Sequence, residues 1–532
     1  MTKPSFPSRR SGVLARNGMV ATSQPLAAMA GLRTLMEGGN AADAAVTAGA
    51  LLNVVEPMST GVGGDCFALV YEAASGQATA LNASGRSPTL FTLREAQDLG
   101  LETIPLTGPL PVTVPGTVSG WSALLERFGQ MTLAECLAPA IKTASEGFPV
   151  SERISAGWQN SAGKLSLDAE AARVYLPAPL PGLVHRQPDL SATLRAIAEG
   201  GSGAFYSGEL AEKIAQCVQS HGGFLTAADL DRHKATWHAP IRITYRDVEV
   251  LEHPPNGQGL AALLALNVIE TEDWSKSAYF DPGRWHTMIE AMRLGMADAA
   301  QFVADPAMAP APLEELLSKE YAAQRRALIH PRRVMELATP GCPEHRDTVY
   351  LTVVDSQGNA VSFINSLYYG FGSGLVVPGT GICLQNRGAC FSLEPGHPNV
   401  LEGGKRPYHT IIPAMALRGG RLWLSLGVMG GFMQPQGHLQ VLVNMVDYGL
   451  EPQAALDAPR FRIDERGSSR VSIETGVPTA TRKRLAALGH QVTPEHTFSP
   501  GFGGGQVIAV DHETGVLWGG SDPRKDGCAV GY

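Results

Sequence analysis

The 532-residue sequence predicts a layered fold in which β-sheets pack face to face and helices cover their outer surfaces. Strand-like runs occur in pairs in both the early and the late parts of the chain, whereas residues from about 120 to 330 show mostly helical periodicity. No linker, internal repeat or low-complexity tract separates these regions. One continuous body therefore fits better than a string of domains, although the length alone suggests about three or four.

The first elements are predicted from their capping residues. Residues 1–17 are polar and predict a loose lead into the fold. Ser23 is typical of a helix N-cap, and the helix that follows it is expected to end at Gly38-Gly39. A second, alanine-rich helix is predicted from Asn40 to about Val55. Its small side chains favour close packing against another layer.

The later elements follow from hydrophobic periodicity and from turn residues. Helical faces recur near 133–146, 208–220, 260–270, 285–304 and 436–447. Alternating or β-branched runs predict strands near 66–71, 78–83, 241–245, 248–251, 348–355, 360–365, 411–418, 421–426, 506–510 and 515–518. Gly419-Gly420 indicates that two of these strands form a hairpin.

Composition excludes several classes of function. The net charge is -8, and no Lys/Arg cluster resembles a surface that follows a phosphate backbone, so no nucleic-acid partner is expected. The most apolar long segment, Ala44–Val55, is too short to span a bilayer, and no signal peptide is expected. Seven scattered cysteines without C-x-x-C spacing suit a reducing cytoplasm and predict neither a disulfide framework nor a metal site. Walker A, H-E-x-x-H and G-x-S-x-G motifs are absent, and no cofactor is expected.

The most informative stretch is Asp347–Asp355, where a turn-rich segment runs into a β-branched strand. Thr348 stands at the junction, so that a cut before it would make it a new N-terminal residue. An N-terminal nucleophile hydrolase needs this arrangement, because its free α-amine activates its own hydroxyl. From this stretch alone, however, an ordinary strand threonine is the simpler interpretation.

Motifs spread over nearly the whole chain resemble the gamma-glutamyltransferase family of N-terminal nucleophile hydrolases. They are Glu37-Gly38-Gly39-Asn40-Ala41-Ala42-Asp43, Gly63-Gly64, Val114-Pro115-Gly116-Thr117, Gly222-Gly223-Phe224-Leu225-Thr226, Lys405-Arg406-Pro407, Gly430-Gly431 and Asp522-Pro523-Arg524. The resemblance implies an α+β fold, a four-layer αββα sandwich with a helical portion in the larger fragment. It also implies self-cleavage between Asp347 and Thr348. Residues 1–347 and 348–532 would then form a heterodimer within one body, and any further pairing is left open.

The resemblance also implies catalytic roles. Thr348 would supply the nucleophilic hydroxyl and, after cleavage, the amine that acts as its base. Ser366 lies where the family has a threonine that hydrogen-bonds the nucleophile. Gly430 and Gly431 match the glycines whose N–H groups form the oxyanion hole, and such donors are worth roughly 3–4 kcal/mol each. Without the resemblance, an ordinary turn would be the simpler interpretation of this glycine pair.

The positions that match the family's substrate-binding residues are only partly retained. Arg86 matches the arginine that binds the substrate α-carboxylate, and His409-Thr410 replace two serines that bind the same group. The positions that bind the α-ammonium group hold Tyr368, Arg387 and Cys390. No carboxylate remains there to pair with a cation, so recognition of a carboxylate is expected without recognition of an amine.

The segments 405–413 and 430–438 are similar to the oxamate amidohydrolase branch of the family. The resemblance therefore implies a small-molecule amide substrate, with oxamate converted to oxalate and ammonia in purine metabolism as the leading hypothesis. The bulk of Tyr368 would shorten the pocket toward a two-carbon acid. Three alternatives remain open: a γ-glutamyl hydrolase or transferase acting on glutathione-like donors, an acylase for glutaryl groups of the cephalosporin type, and an unprocessed binding homologue.

Overall fold

The computed structural model describes residue 6 and residues 10–274, 277–336, 348–465 and 468–532. Within these ranges the strands are β1 (Val13–Ala15), β2 (Met19–Thr22), β3 (Asp65–Glu72), β4 (Gln77–Ala83), β5 (Phe148–Pro149), β6 (Val184–His185), β7 (Thr236–His238), β8 (Ile241–Tyr245), β9 (Val248–Glu252), β10 (Val349–Val354), β11 (Ala360–Ser366), β12 (Val376–Val377), β13 (Ile382–Cys383), β14 (Ala414–Arg418), β15 (Arg421–Met429), β16 (Phe461–Ile463), β17 (Arg470–Glu474), β18 (Gln491–Glu495), β19 (Gly504–Asp511), β20 (Val516–Ser521) and β21 (Cys528–Gly531).

The α-helices of the same ranges are α1 (Pro25–Met36), α2 (Ala41–Val55), α3 (Leu93–Asp98), α4 (Thr117–Phe128), α5 (Leu133–Glu146), α6 (Glu152–Asn160), α7 (Ala162–Leu165), α8 (Ala169–Tyr175), α9 (Pro188–Tyr206), α10 (Glu209–Ser220), α11 (Ala227–Asp231), α12 (Gly259–Ile269), α13 (Pro282–Phe302), α14 (Leu313–Leu316), α15 (Lys319–Ala327), α16 (Met433–Val446), α17 (Pro452–Asp457) and α18 (Thr479–Ala487). None of them combines the length and apolarity needed to cross a membrane.

Two seven-stranded antiparallel sheets form the centre of the described structure. Their strand orders are β1-β20-β19-β15-β14-β9-β8 and β21-β2-β10-β11-β3-β4-β7. Apolar side chains from both sheets meet between them, among them Met19, Leu69, Met415 and Ile508. Helices α1, α2 and α4 cover the outer face of the second sheet, and α12 and α16 cover that of the first. The expected four-layer αββα sandwich is confirmed.

The predicted alanine-rich helix α2 is buried along its whole length. Asn40 caps it, and the side chain of Asp43 completes a capping box by accepting a hydrogen bond from the Asn40 amide N–H. Small residues let α1 pack closely on it: a side chain added at Gly31 would come within 3.2 Å of the Ala44 carbonyl oxygen. This helix lies directly on β10 and β11, the two strands that carry the candidate nucleophile and its partner.

Two expectations for the N-terminal region are wrong. The lead over residues 1–17 contains β1, whose Val13–Ala15 pairs with β20, because the sheet edge supplies partners that local sequence does not show. Gln24 rather than Ser23 caps α1, since its side-chain oxygen accepts hydrogen bonds from the amides of the first turn. The hydroxyl of Ser23 instead donates to Glu56.

Strand β10 follows the predicted junction and is fully buried between β2 and β11. Hydroxyl groups link it and its neighbour to the opposite sheet: Thr352 Oγ1 donates to Ser425 Oγ over 2.5 Å, and Ser362 Oγ donates to the Leu426 carbonyl over 3.3 Å. The interior between the sheets is therefore both packed and hydrogen-bonded. Its rigidity fixes the end of β10, where Thr348 lies.

Candidate active site

Thr348 and Ser366 face each other at one end of the sandwich. Thr348 immediately precedes β10, and Ser366 ends β11, whose register pairs Val349 with Asn365. Both side chains are buried, and their hydroxyl oxygens are 3.1 Å apart. The predicted contact between these two residues is therefore present. Asp347, the other side of the proposed cut, lies outside the described residues.

The Ser366 hydroxyl also receives hydrogen bonds from two other groups. Its Oγ accepts from the amide N–H of Tyr368 over 2.9 Å and from Nη2 of Arg387 over 3.4 Å. In the contact with Thr348 Oγ1 either hydroxyl can be the donor. When Ser366 donates, it stabilises negative charge on the threonine oxygen.

The Gly63-Gly64 motif lies where neighbouring backbone leaves no room for a side chain. A side chain at Gly64 would come within 2.4 Å of the Ser366 carbonyl oxygen, and one at Gly63 within 2.1 Å of the Cys383 carbonyl oxygen. Both glycines are needed because backbone segments pass directly over them. The motif thus holds the end of β11, and with it the Ser366 hydroxyl, in place.

Gly430 and Gly431 connect β15, a strand of the first sheet, to helix α16. Both adopt left-handed backbone conformations, with φ of 123° and 60°, and a side chain at Gly430 would lie 3.1 Å from the Gly503 Cα. Within the described structure, neither amide N–H donates to a protein group. They stand at the N-terminal end of a 14-residue helix, where the helix dipole favours negative charge. This arrangement suits an oxyanion hole.

Thr348 and Gly430 line one cleft of about 1110 Å³. Its wall combines apolar side chains with charged groups of both signs, including Met58, Phe432, Met433, Arg153, Lys164, Lys525, Glu56, Asp464, Glu495 and Asp526. Thr348 and Gly430 thus open onto the same space. An amide carbonyl entering this cleft can meet both.

Arg387 lies on the buried side of the nucleophile. Its side chain is fully buried, and Nη1 donates to Thr410 Oγ1 over 2.7 Å. The guanidinium stacks on the ring of Tyr368 at 4.2 Å, and the backbone of Tyr368 has a left-handed φ of 81° that turns the ring toward it. Burial lowers the pKa of Arg387. No carboxylate of the described ranges lies within ion-pair distance of it, and the charge of Asp65 acts on it from farther away.

His409 and Thr410 have separate roles in this neighbourhood. Thr410 receives the bond from Arg387, whereas His409 turns away and its Nε2 lies 3.0 Å from Oδ2 of Asp65. Burial holds the pKa of His409 well below its usual value, so its ring is neutral. Of the two predicted substrate contacts, only Thr410 directly contacts the group that reaches Ser366.

Arg86 is engaged elsewhere. Its guanidinium donates to Asp305 over 2.8 Å and to the Gly404 carbonyl over 3.0 Å, and about a third of its side chain is exposed. Neither Arg86 nor Arg387 lines the cleft that contains Thr348, but Arg387, unlike Arg86, reaches Ser366. Its role as the carboxylate-binding arginine stays a prediction.

The sequence alone indicated only that Arg387 replaces a residue that binds an amine in the family. The structure adds that this replacement places a cation next to Ser366, the hydrogen-bond partner of Thr348. Asp65 was also missed, although it directly follows the Gly63-Gly64 motif. A charged residue next to two glycines that permit close backbone approach was the signal that could have found it.

The described residues contain one group of potential metal ligands, formed by His286, Glu290 and His490 in the helical layer. The two imidazoles bond each other over 2.8 Å, and Glu290 pairs with Arg293 over 2.6 Å. Nδ1 of His490 has no hydrogen-bond partner in the described structure, and none of the three side chains lines the Thr348 cleft. They have no part in the site.

Comparison with known proteins agrees with this geometry. A family model described as gamma-glutamyltranspeptidase matches residues 27–532. The chain is 39% identical over 526 residues to the glutathione hydrolase-like YwrD proenzyme of Bacillus subtilis (strain 168), covering 98% of this chain and 99% of that protein. It is 35% identical over 537 residues to the oxamate amidohydrolase proenzyme of Klebsiella pneumoniae subsp. pneumoniae, covering 98% and 100%.

Among solved structures, the cephalosporin acylase from Bacillus halodurans matches with a TM-score of 0.93 and 44% identity, covering 100% of this chain and 99% of that one. The family model and these relatives extend over nearly the whole chain, including the strands and glycines that form the site. The chain therefore belongs to the gamma-glutamyltranspeptidase family of hydrolytic enzymes.

Proposed function

We propose that the chain cuts itself between Asp347 and Thr348 and then hydrolyses the amide of an acyl group that carries a carboxylate and no α-ammonium group. Oxamate, which would give oxalate and ammonia, is the leading candidate. Under this proposal the two fragments stay together as a heterodimer. The enzyme would act in purine metabolism in the cytoplasm.

The observation that carries the proposal is the buried Arg387 guanidinium, 3.4 Å from the Ser366 hydroxyl that in turn contacts Thr348. A cation at this position attracts a substrate carboxylate and repels an ammonium group. By the family resemblance, Arg387 occupies a position that in other members binds the α-ammonium group of the substrate. The charge of the subsite is therefore reversed relative to that needed for a γ-glutamyl group.

The distances favour a short acyl group. The attacked carbonyl carbon must come within about 3–3.5 Å of Thr348 Oγ1. With C–C bonds of about 1.5 Å, the carboxylate of oxamate directly adjoins that carbon. Arg387 Nη2 is separated from Thr348 Oγ1 by two contacts of 3.4 Å and 3.1 Å through one shared hydroxyl oxygen. Because both atoms contact the same hydroxyl oxygen, they lie close together, and this closeness favours a carboxylate that adjoins the attacked carbon over the extended five-carbon chain of a glutaryl group.

The reaction follows from the same groups. The α-amine released by the cut takes the proton of the Thr348 hydroxyl as its oxygen attacks the amide carbon. Gly430 and Gly431 N–H groups stabilise the resulting oxyanion. The protonated amine then gives its proton to the leaving nitrogen, so that ammonia departs and an acyl ester of Thr348 remains. Water, deprotonated by the same amine, hydrolyses the ester and frees the acid.

A second candidate is an acylase that removes a glutaryl-type group from a large amine. The cleft of about 1110 Å³ favours it, because ammonia as the leaving group needs little of this space. The 44% identity to a protein described as a cephalosporin acylase also supports it. Arg387 would serve this substrate too, provided that the longer acyl chain folds back toward it.

The test is a panel of amides offered to the mature protein: oxamate, glutaryl amides, glutamine and γ-glutamyl-p-nitroanilide. We expect ammonia release from oxamate to have the highest kcat/KM. Dominant glutarate release would favour the second candidate, and dominant cleavage of the γ-glutamyl compound would contradict the charge argument. A single full-length band on a denaturing gel, without hydrolysis of any amide, would favour the unprocessed binding homologue.

A further inference from the structure

Asp65 is a buried carboxylate at the wall of the Arg387 subsite, and the mechanism above does not use it. It begins β3, and the register of β3 against β11 pairs it with Ser366. The side chain is fully buried. Asp65 is thus the cross-strand neighbour of the residue that hydrogen-bonds the nucleophile.

Three donors hold the Asp65 carboxylate. Oδ1 accepts from the Gly85 amide over 2.8 Å and from Gln385 Nε2 over 3.0 Å. Oδ2 lies 3.0 Å from Nε2 of His409, whose Nδ1 accepts from the Ile411 amide over 3.4 Å. This pattern assigns the imidazole proton to Nε2 and makes the carboxylate the acceptor of all three bonds.

The charges around Asp65 oppose one another. Burial raises the pKa of Asp65 to about 7, whereas the Arg387 cation, followed by hydrogen bonds and Arg406, acts to lower it. The remaining ionisable groups that face it carry no charge of their own near neutrality: burial raises the pKa of Cys66 and of Tyr206, and burial lowers that of His409. Arg387 is therefore the main cation that keeps Asp65 ionised.

A substrate carboxylate bound to Arg387 would offset the charge of the same cation that favours the ionised form of Asp65. We propose that Asp65 takes up a proton when the acyl carboxylate binds Arg387, so that the subsite holds one negative charge beside the guanidinium whether it is empty or occupied. This inference rests on the proposed function. The proton comes from solvent to Oδ2, and His409 moves its own proton to Nδ1, losing only the long 3.4 Å contact from Ile411.

The sign of the pH dependence follows. Binding an anion raises the pKa of Asp65, so binding is strongest where Asp65 is already protonated and weakens as pH rises through its free-enzyme pKa of about 7. Above that value KM for the carboxylate substrate should rise by up to about tenfold per pH unit, until the pH reaches the raised pKa that Asp65 has in the complex. This makes Asp65 a positioning residue for substrate charge rather than a catalytic one.

Calorimetry of oxalate binding to the processed enzyme tests this directly. Titrations in phosphate and in Tris, about one pH unit above the Asp65 pKa, count the protons taken up from the difference in apparent enthalpy. We expect wild type to take up about one proton more than Asp65→Asn. The α-amine of Thr348 titrates in the same pH range. Its contribution is the proton uptake that remains when oxalate binds Asp65→Asn.

Two further variants make the result specific. His409→Gln can turn either end of its amide to Asp65 and should keep the wild-type uptake. Asp298→Asn, at a buried aspartate on α13 that pairs with Arg325, should also keep it. If Asp65→Asn does not fold, Asp65→Ser takes its place in the same comparison with wild type.

The possible failures are distinguishable. Oxalate binding without proton uptake in wild type would overturn the role of Asp65 and leave the proposed function intact. Equal uptake in wild type and Asp65→Asn would do the same. If neither oxalate nor glutarate binds the processed enzyme, the proposed function itself fails, and this inference with it.

Discussion

Replacing Arg387 by glutamine removes the buried cation that we propose binds the acyl carboxylate. The wild-type guanidinium contacts Thr410 over 2.7 Å and Ser366 over 3.4 Å, and it stacks on Tyr368. Glutamine is polar enough to keep a hydrogen bond to one of these hydroxyls but carries no charge. The change therefore isolates the electrostatic part of carboxylate recognition.

The expected magnitude follows from the charges involved. A guanidinium and a carboxylate about 4 Å apart attract each other by about 4 kcal/mol at an effective dielectric constant of 20. The glutamine amide recovers about 1 kcal/mol through a neutral hydrogen bond. The net loss of about 3 kcal/mol lowers kcat/KM for a carboxylate-bearing amide by about 100-fold. Hydrolysis of a neutral amide such as acetamide has no such interaction to lose.

The assay compares kcat/KM for oxamate between wild type and Arg387→Gln, after denaturing electrophoresis has verified that the variant has cut itself. Arg86→Gln is the matched control, because it removes a guanidinium that is already paired with Asp305. We expect its kcat/KM to fall by less than about fivefold, because Arg86 contacts Asp305 and Gly404 rather than Thr348 or Ser366. A large loss in Arg86→Gln with a loss of less than threefold in Arg387→Gln would refute the reasoning and return the carboxylate contact to Arg86.

Three other changes test the remaining parts of the site. Thr348→Ala should abolish both chain cleavage, seen on a denaturing gel, and amide hydrolysis, whereas a strand threonine without a catalytic role would cost only modest stability. Gly430→Ala should lower kcat by about 10²–10³-fold with little change in KM, because a Cβ there meets Gly503 Cα at 3.1 Å and shifts an oxyanion donor; an unchanged kcat would remove this glycine from the mechanism. The triple change Tyr368→Asn, Arg387→Gln and Cys390→Asp should gain hydrolysis of γ-glutamyl-p-nitroanilide at the expense of oxamate, and an absence of any gain would show that these positions do not set the preference.

The sequence was sufficient for the layers of the fold. Thr348 could be placed at the junction of a turn-rich segment and a β-branched strand, whereas its contact with Ser366 could be predicted only through the family resemblance. Gly430 and Gly431 could be singled out only through the family resemblance, since a glycine pair between a strand and a helix by itself indicates an ordinary turn.

The surroundings of the nucleophile could not be predicted in the same way. Whether Arg387 points to solvent or into the site depends on the stacking of Tyr368 and on the bond to Thr410, and neither follows from sequence spacing. The cross-strand register that brings Asp65 to Ser366 is a property of the assembled sheet. Strands such as β1 and β21 were missed because they are short and depend on partners distant in the chain.

Mass spectrometry of the small fragment, before and during turnover of a carboxylate-bearing amide, tests the central claim most directly. We predict that the fragment begins at Thr348 and that a transient acyl adduct, trapped by rapid acid quench, maps to this first residue. An active enzyme that consists of one uncut chain, or an adduct on any other residue, would contradict the account.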